Sequence, residues 1–410
     1  MAQTAIQNPS VFEAALEAAY NTRSKTGEAQ AAAFDRYVKL RLPNRKVEGW
    51  KWSDFNNVLR SFEPANDVLD TTVAPSAFAG LDPLEFRIVD GRIELPAEDM
   101  PEGLRYGVMD TVATIPELEN HAIATLNVAM TRKALGVEVR EGVEFDRPIL
   151  VRHINTGAGF SFAQTMIRFS ENSRATLIET YEGEGAGFYS HLFHTVLRDG
   201  AQIKRYVLQN AGEQSISHAI CAAKIDEQAR LEQTSLSTGG RLSRHENHFH
   251  FWALDSSAMV NSASLLADAR HADFTSDIRH FAGSCQARQL HKGVAKDLGR
   301  NVFQGKFYVK REAQKTDAQM TANALLLSDT AEANHKPELE IYADDVECAH
   351  GSTVGALDED ALFYLRQRGL DEEQARALLV EAFVGEIVER IDNDGVRDIF
   401  ALRVKEWLDE

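Results

Sequence analysis

Glu171-Asn172-Ser173-Arg174-Ala175, Arg198-Asp199-Gly200-Ala201, Asp226-Glu227-Gln228-Ala229 and Asp255-Ser256-Ser257-Ala258 repeat one phrase: a polar turn, then a small residue, then an alternating run. Weaker members follow at Cys285 and Ala313. The small residues stand 26, 28, 29, 27 and 28 residues apart. A regular period in the twenties marks a solenoid, because each unit is too small to bury its own apolar face and must stack on the next. The runs alternate in twos with almost no helical pattern, so the units are read as strands. A β-helix or similar β-solenoid is the reading this favours. A β-sandwich or a run of hairpins stays open, since turns such as Asp199-Gly200 suit those too.

Outward from this stretch the pattern changes on both sides. Residues 1–84 read as a helical domain: Val11-Phe12-Glu13-Ala14-Ala15-Leu16 opens one Ala-rich run, and a second spans about Gly27 to Leu40. Pro43 breaks it, and two tryptophans follow in Gly49-Trp50-Lys51-Trp52 as aromatic anchors of that small domain. From Leu84 strands begin, with Asp90-Gly91 as a hairpin-type turn. The β core is assigned to 85–355, with a helical interlude near 118–135. Residues 356–410 return to helix. Asp358 caps a first helix that Gly369 ends, and Asp371 caps the next with Gln374 reaching back. Ala375, Leu378, Leu379, Ala382, Phe383, Ile387 and Ile391 share a face at helical spacing, as a core stripe or a docking surface.

Composition narrows the function. The 410 residues are 44% hydrophobic and 26% charged, an ordinary globular balance. A net charge of −18 with no basic stripe argues against a nucleic-acid binder. The first twenty residues lack a secretory pattern, and no apolar run approaches a membrane span. Three widely spaced cysteines, Cys221, Cys285 and Cys348, are no disulfide framework and suit a reducing cytoplasm.

Familiar catalytic motifs are absent. Gly299 to Lys306 has five residues between its glycines where a phosphate loop has four, and Phe307 replaces the magnesium-binding hydroxyl. Gly183, Gly185 and Gly187 miss the dinucleotide spacing by one residue. His245, His248 and His250 form the densest histidine cluster. The last two would share a strand face, as a start to a metal site or simply as wall positions. Cys348 and His350 are also two apart. Thiolate and imidazole suit iron, zinc or an iron–sulfur cluster, and the plain alternative is a buried thiol beside a surface histidine. A cluster usually takes about four ligands, and one strand offers two. If the pair holds a cluster, a partner chain must complete the site.

The run Lys292-Gly293-Val294-Ala295, Gln314-Lys315-Thr316-Asp317-Ala318, Leu325-Leu326-Leu327-Ser328-Asp329 and Lys336-Pro337-Glu338-Leu339-Glu340-Ile341-Tyr342 resembles the SufB/SufD family. So do Cys348-Ala349-His350-Gly351 and Leu362-Phe363-Tyr364-Leu365-Arg366-Gln367-Arg368-Gly369. The likeness is specific over about 290–392. Ala349 and Gly351 stand where the SufB pattern has Glu, and the chain is short; both departures favour the SufD side. Gly49-Trp50-Lys51-Trp52 resembles that side's Glu-Trp-Lys/Arg-Tyr segment, with Gly49 and Trp52 departing.

The resemblance implies a right-handed parallel β-helix between two helical domains. It implies a non-catalytic scaffold subunit of the SUF machinery, supporting nascent cluster formation and iron acquisition. It implies pairing with SufB through the end of the β-helix, or a homodimer when isolated. It also implies a SufC ATPase held on the carboxy-terminal helices through Phe363, Tyr364, Arg366 and Arg368. Cys348 and His350 would then border a transient iron–sulfur cluster shared with SufB, none being tightly bound by the chain alone. The alternatives are a SufB-like homodimeric scaffold and a β-helix enzyme acting on carbohydrate.

Overall fold

A computed structural model describes residues 6–23, 27–65 and 73–409; part of the expected amino-terminal helical domain, 1–5, 24–26 and 66–72, lies outside these. That domain begins with α1 (Val11–Asn21), α2 (Glu28–Leu40) and α3 (Phe55–Leu59). Ser10 and Glu13 close a capping box on α1. The chain then enters β1 (Leu84–Val89), which turns back at Asp90-Gly91 into β2 (Arg92–Glu94), the antiparallel hairpin that the turn signal predicts. Next come β3 (Leu104–Met109), α4 (Ala122–Met130) and β4 (Ala134–Val139). The interlude is shorter than 118–135, because residues from Ala134 onward are drawn into the sheet beside β3. All nine residues of α4 are buried, since it lies between α2 and a sheet.

The solenoid follows as β5 (Glu144–Ile154), β6 (Phe160–Phe169), β7 (Arg174–Gly183), β8 (Phe188–Leu197) and β9 (Gln202–Ala211). It continues through β10 (Ile216–Ile225), β11 (Arg230–Ser237), β12 (Leu242–Phe251), β13 (Ser257–Leu266) and β14 (His271–His280). It ends with β15 (Gln286–Ala295), β16 (Arg300–Val309), β17 (Asp317–Leu326), β18 (Glu332–Ile341) and β19 (Glu347–Gly355). From β5 onward, odd strands build one sheet and even strands the other, each pairing in parallel with the strand one coil away. This is a parallel β-solenoid. The sandwich and hairpin readings are excluded by the parallel pairing.

Register shows what the repeat meant. Arg174, Gln202, Arg230, Ser257, Gln286, Asp317 and Glu347 are successive partners, 28, 28, 27, 29, 31 and 30 residues apart. Ala175, Ile203, Leu231, Ala258, Ala287, Ala318 and Cys348 form one column, whereas Ala201, Ala229 and Cys285 lie two residues earlier in the coil. A shift of two keeps the same side of a strand. The period therefore survives although the expected repeat mixes two columns and Ala313, five residues before Ala318, belongs to neither.

Helices cover both outer faces. Phe12 and Phe55 pack edge-on against Phe188, whose column runs Phe160, Phe188, Ile216, Leu242. On the opposite sheet, α5 (Glu359–Gln367) leads to α6 (Glu372–Val388) and α7 (Asp394–Asp409). Val380, Val384, Phe400 and Trp407 are buried there with Leu265, Leu290 and Val294 of the sheet. The buried face of α6 differs from the expected stripe. Ala375, Ile387 and Ile391 are buried as expected, but Leu378 and Ala382 are exposed and Val380, Val384 and Val388 take their place. The helix is apolar on most sides, so the sheet it meets, and not its own pattern, decides which face is covered.

The caps are where the sequence puts them. Asp358 accepts from the Asp360 and Ala361 amides, and Asp371 and Gln374 form a reciprocal capping box. Gly369 adopts φ +99°, the left-handed stop that a side chain resists. Asp371→Ala is expected to cost about 1 kcal/mol, read as a lower urea midpoint; an unchanged midpoint would mean that α6 is held by packing alone. Among the described residues no helix is long and apolar enough to cross a membrane.

Candidate functional site

The solenoid is open at its carboxy-terminal end. β18 pairs only with β16 and β19 only with β17, so each presents an unpaired backbone edge. The inner strand β10 is buried at every residue but the half-buried Lys224, whereas β19 is exposed except for half-buried Cys348. Cys348 ends the inward column beneath Ala318 and packs on the solenoid core. Burial raises its thiol pKa, so it is protonated at neutral pH and would bind metal only by releasing that proton.

His350 stands on the same strand face, opposite buried Met320, and is itself exposed. The expected shared face is therefore present. Ser352 is the next residue on that face, and its hydroxyl lies 2.9 Å from Nδ1 of His335 on β18. Burial holds His335 at about 4, a neutral imidazole at the same open end. Sequence reading missed it, because His335 and Ser352 lie on different sheets and no local spacing links them.

Cys221 and Cys285 do not join this site. Cys221 is enclosed on β10 and pushed by burial to about 12. Cys285 donates to the Ala253 and Gly283 carbonyls, both at 3.3 Å. Among the described residues, two groups of three metal-type side chains converge within 4.8 Å, and Cys348 belongs to neither.

The first group surrounds Glu246. Nε2 of His218 lies 2.8 Å from its carboxylate, that of His121 3.1 Å and that of His248 3.0 Å. Arg244 adds a bond of 2.7 Å. Nδ1 of His121 accepts the Ala124 amide, so its proton sits on Nε2 and leaves no lone pair for a cation. The second group is His153, Glu179 and His191. Arg205 occupies both Glu179 oxygens at 2.9 and 2.7 Å, and His191 is held by Thr165 and Tyr181. The first group is a hydrogen-bonded hub; in the second, Glu179 and His191 are engaged and the buried Nε2 of His153 has no hydrogen-bond partner.

His248 and His250 do share the outer face of β12, under the amino-terminal segment: His248 meets Glu246 and His250 lies 3.9 Å from Glu117. His245 points inward, between Tyr181 and Phe274. Trp50 is buried, with the Arg244 guanidinium 4.0 Å from its ring.

On α5, Phe363 is 64% and Tyr364 57% exposed, large apolar surface for solvent-facing residues. Arg368 is exposed, donates to the Tyr364 hydroxyl at 2.8 Å and lies over its ring; exposed Arg366 lies 3.7 Å from Glu372.

Residues 152–383 match the family described as SUF system FeS cluster assembly, SufBD core domain. The iron-sulfur cluster assembly protein SufD of Escherichia coli is 30% identical over 92% of this chain and 91% of its own length. Protein ABCI7, chloroplastic, of Arabidopsis thaliana is 27% identical over 87% of this chain and 80% of its own. SufD of Bacillus subtilis is 22% identical over 68% and 65%.

Proposed function

This chain belongs to the SufB/SufD family of SUF-system iron–sulfur cluster assembly proteins, and we propose that it is the SufD-type scaffold that pairs with SufB and holds a SufC ATPase. The observation that carries this reading is the open terminal coil. It offers two unpaired edges, β18 and β19, with Cys348 and His350 on the exposed inner face. A partner strand can continue each sheet by backbone pairing. The same partner would supply the ligands that Cys348 and His350 lack. The nascent cluster is cargo of the joint, not a resident group of this chain.

The exposed Phe363 and Tyr364, with Arg366 and Arg368 beside them, give the SufC dock its apolar centre and charged rim. A short physical path leads from there to the joint. α6 packs on β13 and β15, and Lys292 of β15 holds Glu386 at 2.7 Å and lies over Phe383. β15 pairs with β17, and β17 with β19. Displacing the helices when ATP brings two SufC subunits together would load the strand that carries Cys348. Access to the joint would then shift between two arrangements. The chain itself performs no bond-making step, and its compartment is the cytoplasm.

The test is assembly with SufB and SufC, followed by cluster reconstitution watched by visible absorption. His350→Ala and Cys348→Ser should leave the complex intact and lower cluster yield at least several-fold. Full maturation in the double variant would remove the ligand role. Failure to co-purify with SufB, with a stable dimer of this chain alone in sedimentation, would favour the homodimeric scaffold instead.

A further inference from the structure

The opposite end of the solenoid carries a cleft of about 730 Å³ where α1, the end of α4 and the β1–β2 turn meet. Four cations line it, Arg23, Arg92, Arg132 and Lys133, against one carboxylate, Asp90. That is a local excess of positive charge in a chain of net −18. Asp90 offsets one of these charges and leaves a local excess of three, and its oxygens are engaged by the Thr156 amide at 3.0 Å and the Thr156 hydroxyl at 2.5 Å. Arg132 makes no ion pair among the described residues, and the carboxylate partners of Arg92 and Lys133 are at 3.4 and 3.6 Å in open solvent.

Arg23 is built in. Its guanidinium donates to the Ala129 carbonyl at 2.6 Å and to that of Met130, and its Nε is buried with no partner. Burial and the nearby charge of Arg132 both lower its pKa. Two cations brought together without a counter-charge repel each other, and a bound anion would relieve that repulsion. The floor is of another kind. Ile93, Met130, Phe160 and Phe162 give it an apolar surface. A cleft of this size with an apolar floor and a few convergent polar groups fits a small ligand.

We propose that this cleft binds a phosphorylated organic anion, its phosphate on the Arg92–Arg132–Lys133 rim and its apolar body on the Phe160–Phe162 floor. Guanidinium groups suit this ligand because they meet phosphate with paired, charge-assisted hydrogen bonds. The site lies away from the Cys348 edge and does not depend on the scaffold reading.

The experiment is calorimetric titration of the full chain with inorganic pyrophosphate and, separately, with adenosine diphosphate. Both are expected to bind saturably, more weakly as salt rises, with the diphosphate nucleoside several-fold tighter because its ring reaches the floor. The exposed substitutions R92E and R132E, and the milder R132Q, should each weaken binding, together by about tenfold or more, with the urea midpoint unchanged. Absence of binding by both probes, or affinities indifferent to these substitutions, would overturn the proposal. A nucleotide that binds no tighter than pyrophosphate would overturn the role of the floor.

Discussion

Lowering the pH from 7.5 to 5 is expected to unfold this chain cooperatively, well above the pH at which most domains of its size fail. His153, His245, His280 and His291 are held at about 3 by burial, and His218, His250, His271 and His335 at about 4. An unfolded histidine titrates near 6.5. Below that value the unfolded chain takes up protons that the folded chain refuses, so stability falls with pH until about 3 to 4. Each fully enclosed ring costs about 2 kcal/mol by pH 5. With the less enclosed His250 and His335 set aside, the rest amount to on the order of 10 kcal/mol, comparable with the whole stability of a domain. Glu246, held well below the ordinary carboxylate range by Arg244 against its burial, loses its contribution only at still lower pH. Urea midpoints at pH 7.5, 6.5 and 5.5 would test this; a midpoint flat across that range contradicts it. His280 sharpens the test. Neither of its ring nitrogens has a hydrogen-bonding partner, and it sits 4.7 Å from Phe251. His280→Phe should be close to neutral at pH 7.5 and raise stability by about 2 kcal/mol at pH 5.

These histidines also mark where sequence reading stops. In a strand of a solenoid, alternation tells inside from outside, and so the shared face of His248 and His250 and that of Cys348 and His350 were both legible. What covers each face was not. The outer face of β12 reads as the start of a metal site or as polar wall positions, yet the segment around Trp50 and His121 closes over it. Local devices were the most readable, because caps such as Asp358, Asp371 and Gly369 act within four residues. Contacts between the two sheets were the least readable. His335 meets Ser352 only because the last coil closes there, and the core of α6 shifts to Val380, Val384 and Val388 because the sheet chooses among several apolar faces.

The polar cover over β12 yields the second large effect. Arg244→Leu is expected to cost about 3–5 kcal/mol, read as a fall in the urea midpoint. The Arg244 side chain is 2% exposed and lies between two enclosed carboxylates, Glu246 and Asp273, at 2.7 Å from each. Leucine replaces much of its volume but leaves both acids facing each other's field without a cation. One or both would then have to take up a proton, so the loss should grow as pH rises from 5 to 8, opposite in sign to the histidine effect. The guanidinium also lies over Trp50, and Ser53 hydrogen-bonds Asp273, so the same substitution should loosen the amino-terminal segment. Red-shifted tryptophan fluorescence and faster proteolysis around residues 45–55 would report that loosening. Adding Glu246→Gln and Asp273→Asn to Arg244→Leu removes the stranded charges and should restore a large part of the loss. A single variant that loses less than about 1 kcal/mol would mean that water reaches the cluster and that Arg244 does not hold the two domains together.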